Sequence, residues 1–313
     1  MQLSDRIGSR IKLQDLHVLM TVVRAGSMGK AAVILNTTQP NVSRSIGDLE
    51  HALGVRLLDR HQRGVEPTEC GRALLDCGVA VFDDLRQGVK KIEFLADPAA
   101  GEVRIGSTAF LAASFVSALV DRLSRRYPRI VFHLVTGYID MLHQQLSERN
   151  VDLLIIRSFG AVTDERLDFE FLFDDSYVVV AGANNQWVRR RKIEIGELAS
   201  ELWVLPPPES VIGSIVSEAF RAAGLDSLRP TVITDSPHMR ISLLATGRFV
   251  TVFPASAIKF LNVASQLKIL PVELPRARRP NGIVTVKNRA LSPVAQLVVE
   301  CAREIAKPLA KRK

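Results

Sequence analysis

The segment Asp97-Pro98-Ala99-Ala100-Gly101 separates two stretches of the chain that have different hydrophobic periodicities. Before it, apolar residues recur three and four positions apart, which is typical of amphipathic helices. After it, short apolar runs alternate with helical segments, which indicates a parallel sheet with crossover helices. Proline and glycine interrupt regular structure, so we predict a hinge here between a helical N-terminal part and an α/β C-terminal part. The 313 residues suffice for two or three units, because single cores seldom grow past about 250 residues.

Three short helices are predicted near the N-terminus. The first ends at Ala25-Gly26, and Ser27 is a suitable N-cap for the second. Thr38 can cap the third helix. Pro40 is tolerated there because it falls in the first turn, where amide groups have no intrahelical partner to lose. The third helix has an apolar face made of Val42, Ile46, Leu49 and Leu53. We therefore expect this helix to be buried on one side only.

The other side of the third helix is polar and includes Gln39, Asn41, Ser43 and Arg44. Amides, hydroxyls and guanidinium groups hydrogen-bond base edges and phosphates in a major groove. Periodicity alone does not separate such a recognition helix from an ordinary amphipathic helix with a solvated face. The next segment favours DNA, because two short strands around Arg63-Gly64 predict a wing that carries cations toward a phosphate backbone.

A long helix without proline is predicted from Thr68 to Ala96. Its apolar residues alternate three and four positions apart and form a narrow seam of the kind that packs against another helix. That second helix can belong to another subunit or to the domain itself, and the pattern leaves both readings open.

The N-terminal sequence resembles the LysR family of bacterial transcription regulators, in the family's order and spacing without gaps. The resemblance rests on Ala25-Gly26-Ser27, Ala31-Ala32, Leu35-Asn36, Gln39-Pro40, Val42-Ser43-Arg44, Leu49-Glu50, Leu53-Gly54-Val55, Leu58, Arg60, Arg63-Gly64, Thr68 and Gly71. Leu58 matches in its position and apolar character only, since the family usually has phenylalanine there and at Leu19. Both replacements are apolar, so we expect them to alter packing and to leave DNA recognition untouched.

The resemblance implies a winged helix-turn-helix over residues 1–67, a linker and dimerisation helix over 68–97, and an effector-binding domain over 98–313. It implies that the protein binds double-stranded promoter DNA at an interrupted inverted repeat, as a dimer that assembles into a tetramer, with contact to RNA polymerase as a further expectation. The predicted DNA-binding residues are Ser27, Lys30, Thr38, Gln39, Pro40, Asn41, Ser43, Arg44, Arg63 and Gly64.

The C-terminal part begins with the rhythm of a parallel sheet, strand, helix, strand, helix and strand between residues 103 and 156. A second unit is predicted to start after the apolar strand Tyr177-Val178-Val179-Val180. The resemblance implies two lobes with a cleft between them, in a fold similar to periplasmic binding proteins. The first lobe covers about 101–181 and 270–307, and the second about 182–269. The return of the chain to the first lobe follows from the resemblance and not from the pattern.

Ligands of such sheets bind at the carboxyl ends of the strands, and this rule together with the resemblance selects the candidate effector contacts. They are Ser107, Thr108, Thr136 and Arg157 in the first lobe and Ser210, His238 and Phe253 in the second. Our hypothesis is that a small anionic metabolite binds there with Arg157 as its counter-ion. The alternative is that Ser107 caps a helix and Arg157 pairs with a nearby acid. Sugar acids and aromatic acids are both compatible with this reading.

Other classes of protein find little support in the sequence. The histidines show no metal-ligand spacing, and no P-loop, nucleophile elbow or dinucleotide-binding glycine motif is present, so we expect no metal, no cofactor and no enzymatic activity. The sequence also lacks a secretory signal and an apolar run long enough for a membrane span, which predicts a cytoplasmic protein and disfavours an exported solute-binding protein. The net charge of +8 fits a polyanionic partner, although the charge alone does not locate a DNA-binding surface.

Overall fold

A computed structural model describes residues 7–8, 10–61, 64–158, 164–225, 228–260, 266–274 and 279–310. The chain divides into two units, Met1–Gly88 and Val89–Lys313. No helix within the described ranges is long and apolar enough to cross a membrane.

The N-terminal unit is a small helical domain with a two-stranded antiparallel sheet. Its elements are α1 Leu13–Ala25, α2 Met28–Ile34, α3 Gln39–Leu53, β1 Leu58–His61, β2 Gly64–Pro67 and the first part of α4 Glu69–Ala96. The core is formed where α1, α2 and α3 cross, and Leu19, Ile46 and Leu49 within it are fully buried. The bounds of the three short helices agree with those predicted from capping and periodicity.

The wing is attached to the helices by two specific features. Glu50, in α3, accepts hydrogen bonds at Oε1 from the backbone amides of Leu57 (2.7 Å) and Leu58 (3.2 Å). Gly64 has a φ of 137°, and a Cβ there would lie 2.6 Å from the carbonyl oxygen of Gly26. Because no other residue tolerates both conditions, glycine at position 64 fixes the wing beside the end of α1.

The helix α4 packs within its own domain near its start, and packing against another subunit stays a prediction for the rest of the helix. Near its start, Gly78 lies so close to α1 that a Cβ there would meet Leu16 and Met20 at 3.0–3.2 Å. Farther along, four apolar side chains are exposed, namely Leu85, Val89, Ile92 and Leu95. The first part of α4 therefore packs within its own domain, and the second part presents an apolar stripe to its surroundings.

The strands and helices of the second unit are arranged in two sheets with helices packed against them. Its strands are β3 Ala100–Ser107, β4 Arg129–Thr136, β5 Leu153–Arg157, β6 Leu167–Asp175, β7 Tyr177–Gly182, β8 Leu202–Leu205, β9 Val232–Ile233, β10 Phe249–Pro254, β11 Leu267–Ile269 and β12 Arg279–Val286. Its helices are α5 Ala109–Leu111, α6 Ser117–Arg126, α7 Ile139–Ser147, α8 Val211–Ala222, α9 Pro237–Ala245, α10 Ala255–Phe260 and the longer α11 Pro293–Ala310. One π-helical turn, Ala112–Val116, joins α5 to α6.

Among the described residues, each lobe has one five-stranded sheet. The order in the first lobe is β4-β3-β5-β12-β6, and the order in the second lobe is β11-β7-β10-β8-β9. Strand β12 lies between β5 and β6 and is antiparallel to both, so the chain returns to the first lobe as the resemblance implied.

The predicted lobe boundary at residues 181 and 182 was wrong. Strand β7, Tyr177–Gly182, pairs with β10 and β11 of the second sheet, so the chain enters the second lobe directly after Asp175. Apolar alternation shows that a segment is a strand but not which sheet it joins. The strand that ends the first passage through the first lobe is β6, Leu167–Asp175, which the sequence analysis did not identify.

Candidate functional site

Helix α3 presents a polar surface because its opposite face is locked into the core. Val42 and Ile46 are buried, whereas Gln39, Pro40 and Arg44 are exposed at the start of the helix. Ser43 is half-buried, and its Oγ is 3.5 Å from Nη1 of Arg60 on strand β1. The exposed guanidinium, amide and hydroxyl groups are free of the core and can contact nucleic-acid bases and phosphates.

The predicted residues at the helix starts have defined structural roles. Ser27 caps α2 by accepting a hydrogen bond from the amide of Lys30 at 3.1 Å, and Thr38 caps α3 by accepting one from the amide of Asn41 at 3.5 Å. The side-chain amide of Asn41 donates to Oγ1 of Thr37 at 3.3 Å. Lys30 and Asn41 are nevertheless exposed beside α3 and remain accessible from outside.

Of the two residues predicted to contact DNA from the wing, the structure describes one. Arg63 lies outside the described residues. Gly64 is half-buried against the end of α1, and the exposed cation that the structure describes on the first wing strand is Arg60.

The second unit contains a cleft of about 530 Å³ between its lobes. The residues that line it include Thr108, Phe110, Thr136, Tyr138 and Arg157 from the first lobe and Ser210, Asp235 and Arg240 from the second. Four of the seven predicted effector contacts are therefore brought together, namely Thr108, Thr136, Arg157 and Ser210.

The other three predicted contacts are not in the cleft wall. Ser107 is fully buried and donates a hydrogen bond to the carbonyl oxygen of Ile155 at 2.6 Å, so it ties two strands together and does not cap a helix. Phe253 is fully buried behind the cleft, where its ring centroid is 4.8 Å from that of Phe110. His238 is exposed on α9. Neighbouring residues at a strand or helix end point in different directions, so the position of a residue at such an end does not show whether its side chain faces the cleft.

Arg157 lies in a network of polar side chains. Its Nη2 is 2.8 Å from Oδ2 of Asp175, its Nη1 donates to the hydroxyl of Tyr177, and its Nε is 3.4 Å from Oδ1 of Asn281. Asp175 also accepts hydrogen bonds from the amide and the hydroxyl of Ser256, at 3.0 and 2.5 Å. The charge of Arg157 is thus compensated by a buried carboxylate, which is the alternative that the sequence analysis left open.

Arg240 is a charged cleft residue that the sequence analysis missed. It is 1% exposed, and its guanidinium stacks near the rings of Phe110 and Phe253, with distances of 5.1 and 4.7 Å to the centroids. It donates from Nε and Nη2 to Oγ1 of Thr251, at 3.2 and 2.8 Å, and from Nη2 to the carbonyl oxygen of Val252 at 2.5 Å. Burial lowers the pKa of Arg240 to about 9. A lone arginine within the apolar helix segment Pro237–Ala245 was the available signal.

The mouth of the cleft is acidic. Asp140 and Asp235 are exposed and line the opening, and the hydroxyl of Tyr138 donates to Oδ2 of Asp235 at 2.8 Å, which links the two lobes. The hydrogen bond to the Asp235 carboxylate raises the pKa of Tyr138. Within the described ranges, no group of three or more histidine, cysteine, aspartate or glutamate side chains is arranged to bind a metal ion.

A winged helix-turn-helix followed by a long helix and a two-lobed α/β domain defines a DNA-binding regulator with an effector-binding domain. Two family models match the chain, one described as a bacterial regulatory helix-turn-helix protein of the lysR family over residues 13–72, and one described as the LysR substrate binding domain over residues 96–307. The chain therefore belongs to the LysR family of transcription regulators.

Relatives of similar length agree with this assignment. The HTH-type transcriptional regulator GbpR of Azospirillum brasilense is 26% identical over 94% of this chain and 86% of its own length. The transcriptional regulator TdcA of Escherichia coli K12 is 27% identical over 94% of this chain and 93% of its own length. LysR-type regulators are not enzymes, which confirms the prediction of a non-enzymatic protein.

Solved structures confirm the fold class. Full-length OxyR from Pseudomonas aeruginosa superposes with a TM-score of 0.66 at 20% identity, over 96% of this chain and 98% of that chain. Full-length CbnR in complex with its target DNA superposes with a TM-score of 0.51 at 20% identity, over 94% and 99%. At these identities the likeness concerns the fold, and it agrees with the predicted winged helix-turn-helix, linker helix and two-lobed domain.

Proposed function

We propose that this regulator binds an interrupted inverted repeat in promoter DNA as an oligomer, with the N-terminal end of α3 in the major groove. The observation that carries the proposal is the exposure of Gln39, Pro40 and Arg44 on a helix whose other face is buried. Ser43, Asn41 and the helix caps Ser27 and Thr38 complete this surface with Lys30, and Arg63 and Gly64 are proposed to contact the backbone from the wing. A regulator of chromosomal promoters acts in the bacterial cytoplasm.

Two subunits related by a two-fold axis would place two recognition helices at a fixed spacing, which is why the operator is expected to be a dyad. The exposed apolar stripe of Leu85, Val89, Ile92 and Leu95 supports the second half of α4 as the dimerisation surface. Assembly of dimers into tetramers and contact with RNA polymerase are parts of the same proposal.

We also propose that a small anionic metabolite binds between the lobes and shifts the population toward a closed form. Closure would change how dimers associate and thereby the relative positions of the recognition helices. Two guanidinium groups, Arg157 and Arg240, line the cleft together with the hydroxyls of Thr108, Thr136 and Ser210, and this composition suits an anion with polar substituents.

The experiment that tests DNA binding is footprinting of the full-length protein on its own upstream intergenic region, over a series of salt concentrations. Arg44→Ala removes an exposed guanidinium from α3 and is expected to weaken selective binding by about tenfold or more. The matched control is Arg221→Ala, which removes the same charge from an exposed position on α8. Equal binding by the two variants would contradict the recognition-helix assignment, and protection without a dyad would contradict binding to an inverted repeat.

A further inference from the structure

Three arginines are buried in the described part of the chain, and they differ in the charge that compensates them. Nη2 of Arg157 is 2.8 Å from Asp175, and Nη2 of Arg289 is 3.3 Å from Asp152. Arg240 is the most deeply buried of the three, and no carboxylate of the described residues lies within 4.0 Å of its guanidinium. The effector cleft therefore contains one guanidinium with a carboxylate partner and one without.

The hydrogen bonds of Arg240 engage two of the three nitrogens of its guanidinium. Nε and Nη2 donate to neutral acceptors, the Thr251 hydroxyl and the Val252 carbonyl. Nη1 has no hydrogen-bond partner among the described residues. It is also not fully enclosed by the protein. Because Arg240 forms part of the cleft wall, we infer that Nη1 is directed toward the open space of the cleft.

Burial of a cation without a counter-charge is unfavourable, because the charged form loses its hydration. The lowered pKa of Arg240 reflects this desolvation, which Asp235 and Tyr177 offset only in part from a distance. The rings of Phe110 and Phe253 add cation–π attraction but no negative charge. An anion that enters from outside would supply the missing charge.

We propose that Nη1 of Arg240, and not Arg157, binds the anionic group of the effector, and that this effector is a monocarboxylate. The inference rests on the proposed function, since it takes the effector to bind in this cleft. The free Nη1 of a guanidinium has two N–H donors and shares the positive charge, so it can bind a carboxylate through charge-assisted hydrogen bonds. A second negative charge is disfavoured, because Asp140 and Asp235 line the mouth of the same cleft. Hydroxyl or amino substituents, in contrast, can donate to those carboxylates.

The first test uses bromide as a probe in crystals of the full-length protein. Anomalous scattering is expected to show a bromide ion in contact with Nη1 of Arg240 in the wild type and no such ion in Arg240→Met crystals. A bromide ion bound at Arg157 alone, or a cleft without any bromide, would overturn the proposal. This test does not depend on DNA binding, so a failure here is distinct from a failure of the promoter footprint.

The second test compares matched probes by isothermal titration calorimetry. The two series are benzoate, phthalate and benzamide, and D-gluconate, D-glucarate and D-glucitol, which represent a monoanion, a dianion and a neutral molecule of related shape. The monoanion is expected to bind at least about tenfold more tightly than its two counterparts, the effect of one charge-assisted hydrogen bond. Tighter binding of the dianion or of the neutral molecule contradicts a monocarboxylate.

Variants separate direct contact from a structural role. Arg240→Met is expected to abolish the preference for the monoanion, and Arg240→Lys to retain it in weaker form, because lysine keeps the positive charge but not the planar guanidinium. Arg248→Met is the matched control, since it removes an exposed arginine close in sequence and should bind the probes as the wild type does. In the absence of probe, Arg240→Met is expected to keep or raise the thermal unfolding midpoint, because it removes an uncompensated buried charge. A lower midpoint together with unchanged probe selectivity would show that Arg240 is only structural.

Discussion

The two lobes place one buried arginine each on the cleft, and the two side chains have opposite electrostatic surroundings. In the first lobe, Arg157 pairs with Asp175, which also accepts two hydrogen bonds from Ser256. In the second lobe, the acceptors that the described residues offer to Arg240 are all neutral, namely Thr251 and Val252. In a buried ion pair the protein itself compensates both charges, whereas a buried charge without a partner can be compensated by a charged ligand. Position in a cleft therefore does not by itself identify the charge that binds a ligand.

The largest expected effect on the free energy of unfolding comes from breaking the buried ion pair between Arg157 and Asp175. Arg157→Met leaves the carboxylate of Asp175 buried without its cation, and removal of one partner of a buried pair costs about 3–5 kcal/mol of unfolding free energy. Urea unfolding followed by tryptophan fluorescence reports on the structural unit that contains Arg157, because both tryptophans, Trp187 and Trp203, lie in the same unit, Val89–Lys313.

An exposed ion pair provides the control for this measurement. Arg303 and Glu170 pair at 2.6 Å on the surface of the first lobe, so Arg303→Met is expected to cost about 1 kcal/mol or less. The double variant Arg157→Met with Asp175→Asn should recover part of the loss, since the unpaired charge is then gone. Similar losses for Arg157→Met and Arg303→Met would show that burial does not make the Arg157–Asp175 pair more costly to break than an exposed ion pair.

An intermediate effect is expected from the residue that orients Arg240. The Thr251 hydroxyl accepts from Nε and Nη2 of Arg240 and donates to the carbonyl oxygen of Val204 at 2.5 Å. Thr251→Val removes these bonds and is expected to lower the unfolding free energy by about 2 kcal/mol, the range for hydrogen bonds to a charged group. The same fluorescence measurement reports it.

Coupling between the two residues decides whether this explanation holds. In an Arg240→Met background, Thr251→Val should cost clearly less, because no guanidinium remains to lose its acceptor. Equal costs in both backgrounds would mean that Thr251 acts through Val204 alone.

The N-terminal unit could be predicted from local sequence because its signals are local. Ser27 and Thr38 cap helices a few residues away, and the buried face of α3 repeats at helical spacing through Val42, Ile46 and Leu49. Each of these features is decided within about one or two turns of the chain. The glycine at position 64 is different, since its reason is the carbonyl of Gly26 on another element.

The cleft could be predicted only in outline because its chemistry depends on contacts between distant segments. The partner of Arg157 is Asp175, at the end of the strand β6 that the pattern did not reveal. Arg240 follows three helical residues and precedes an apolar run, so nothing in its sequence neighbours shows that Thr251 and Phe110 surround it. The sequence can predict which strand ends lie at a cleft, but it cannot predict which charged side chains there have a partner of opposite charge.

The smallest expected effect concerns the hydrogen bond that joins the lobes at the cleft mouth. Tyr138 donates to Asp235 at 2.8 Å, and the folded protein raises the pKa of Tyr138 because its protonated form makes this bond. A group with a raised pKa contributes stability that is fully present below its unfolded pKa, about 10 for tyrosine, and is lost as the pH rises through the folded value. The wild type should therefore be slightly more stable than Tyr138→Phe at neutral pH, and this advantage should disappear in alkaline solution. Unfolding midpoints of the two proteins between about pH 8 and pH 11 measure this advantage.

Asp235→Asn supplies the control, since an amide can still accept the bond but carries no charge to repel the tyrosinate. A constant difference between the wild type and Tyr138→Phe across this range would show that the ring, and not its proton, links the lobes.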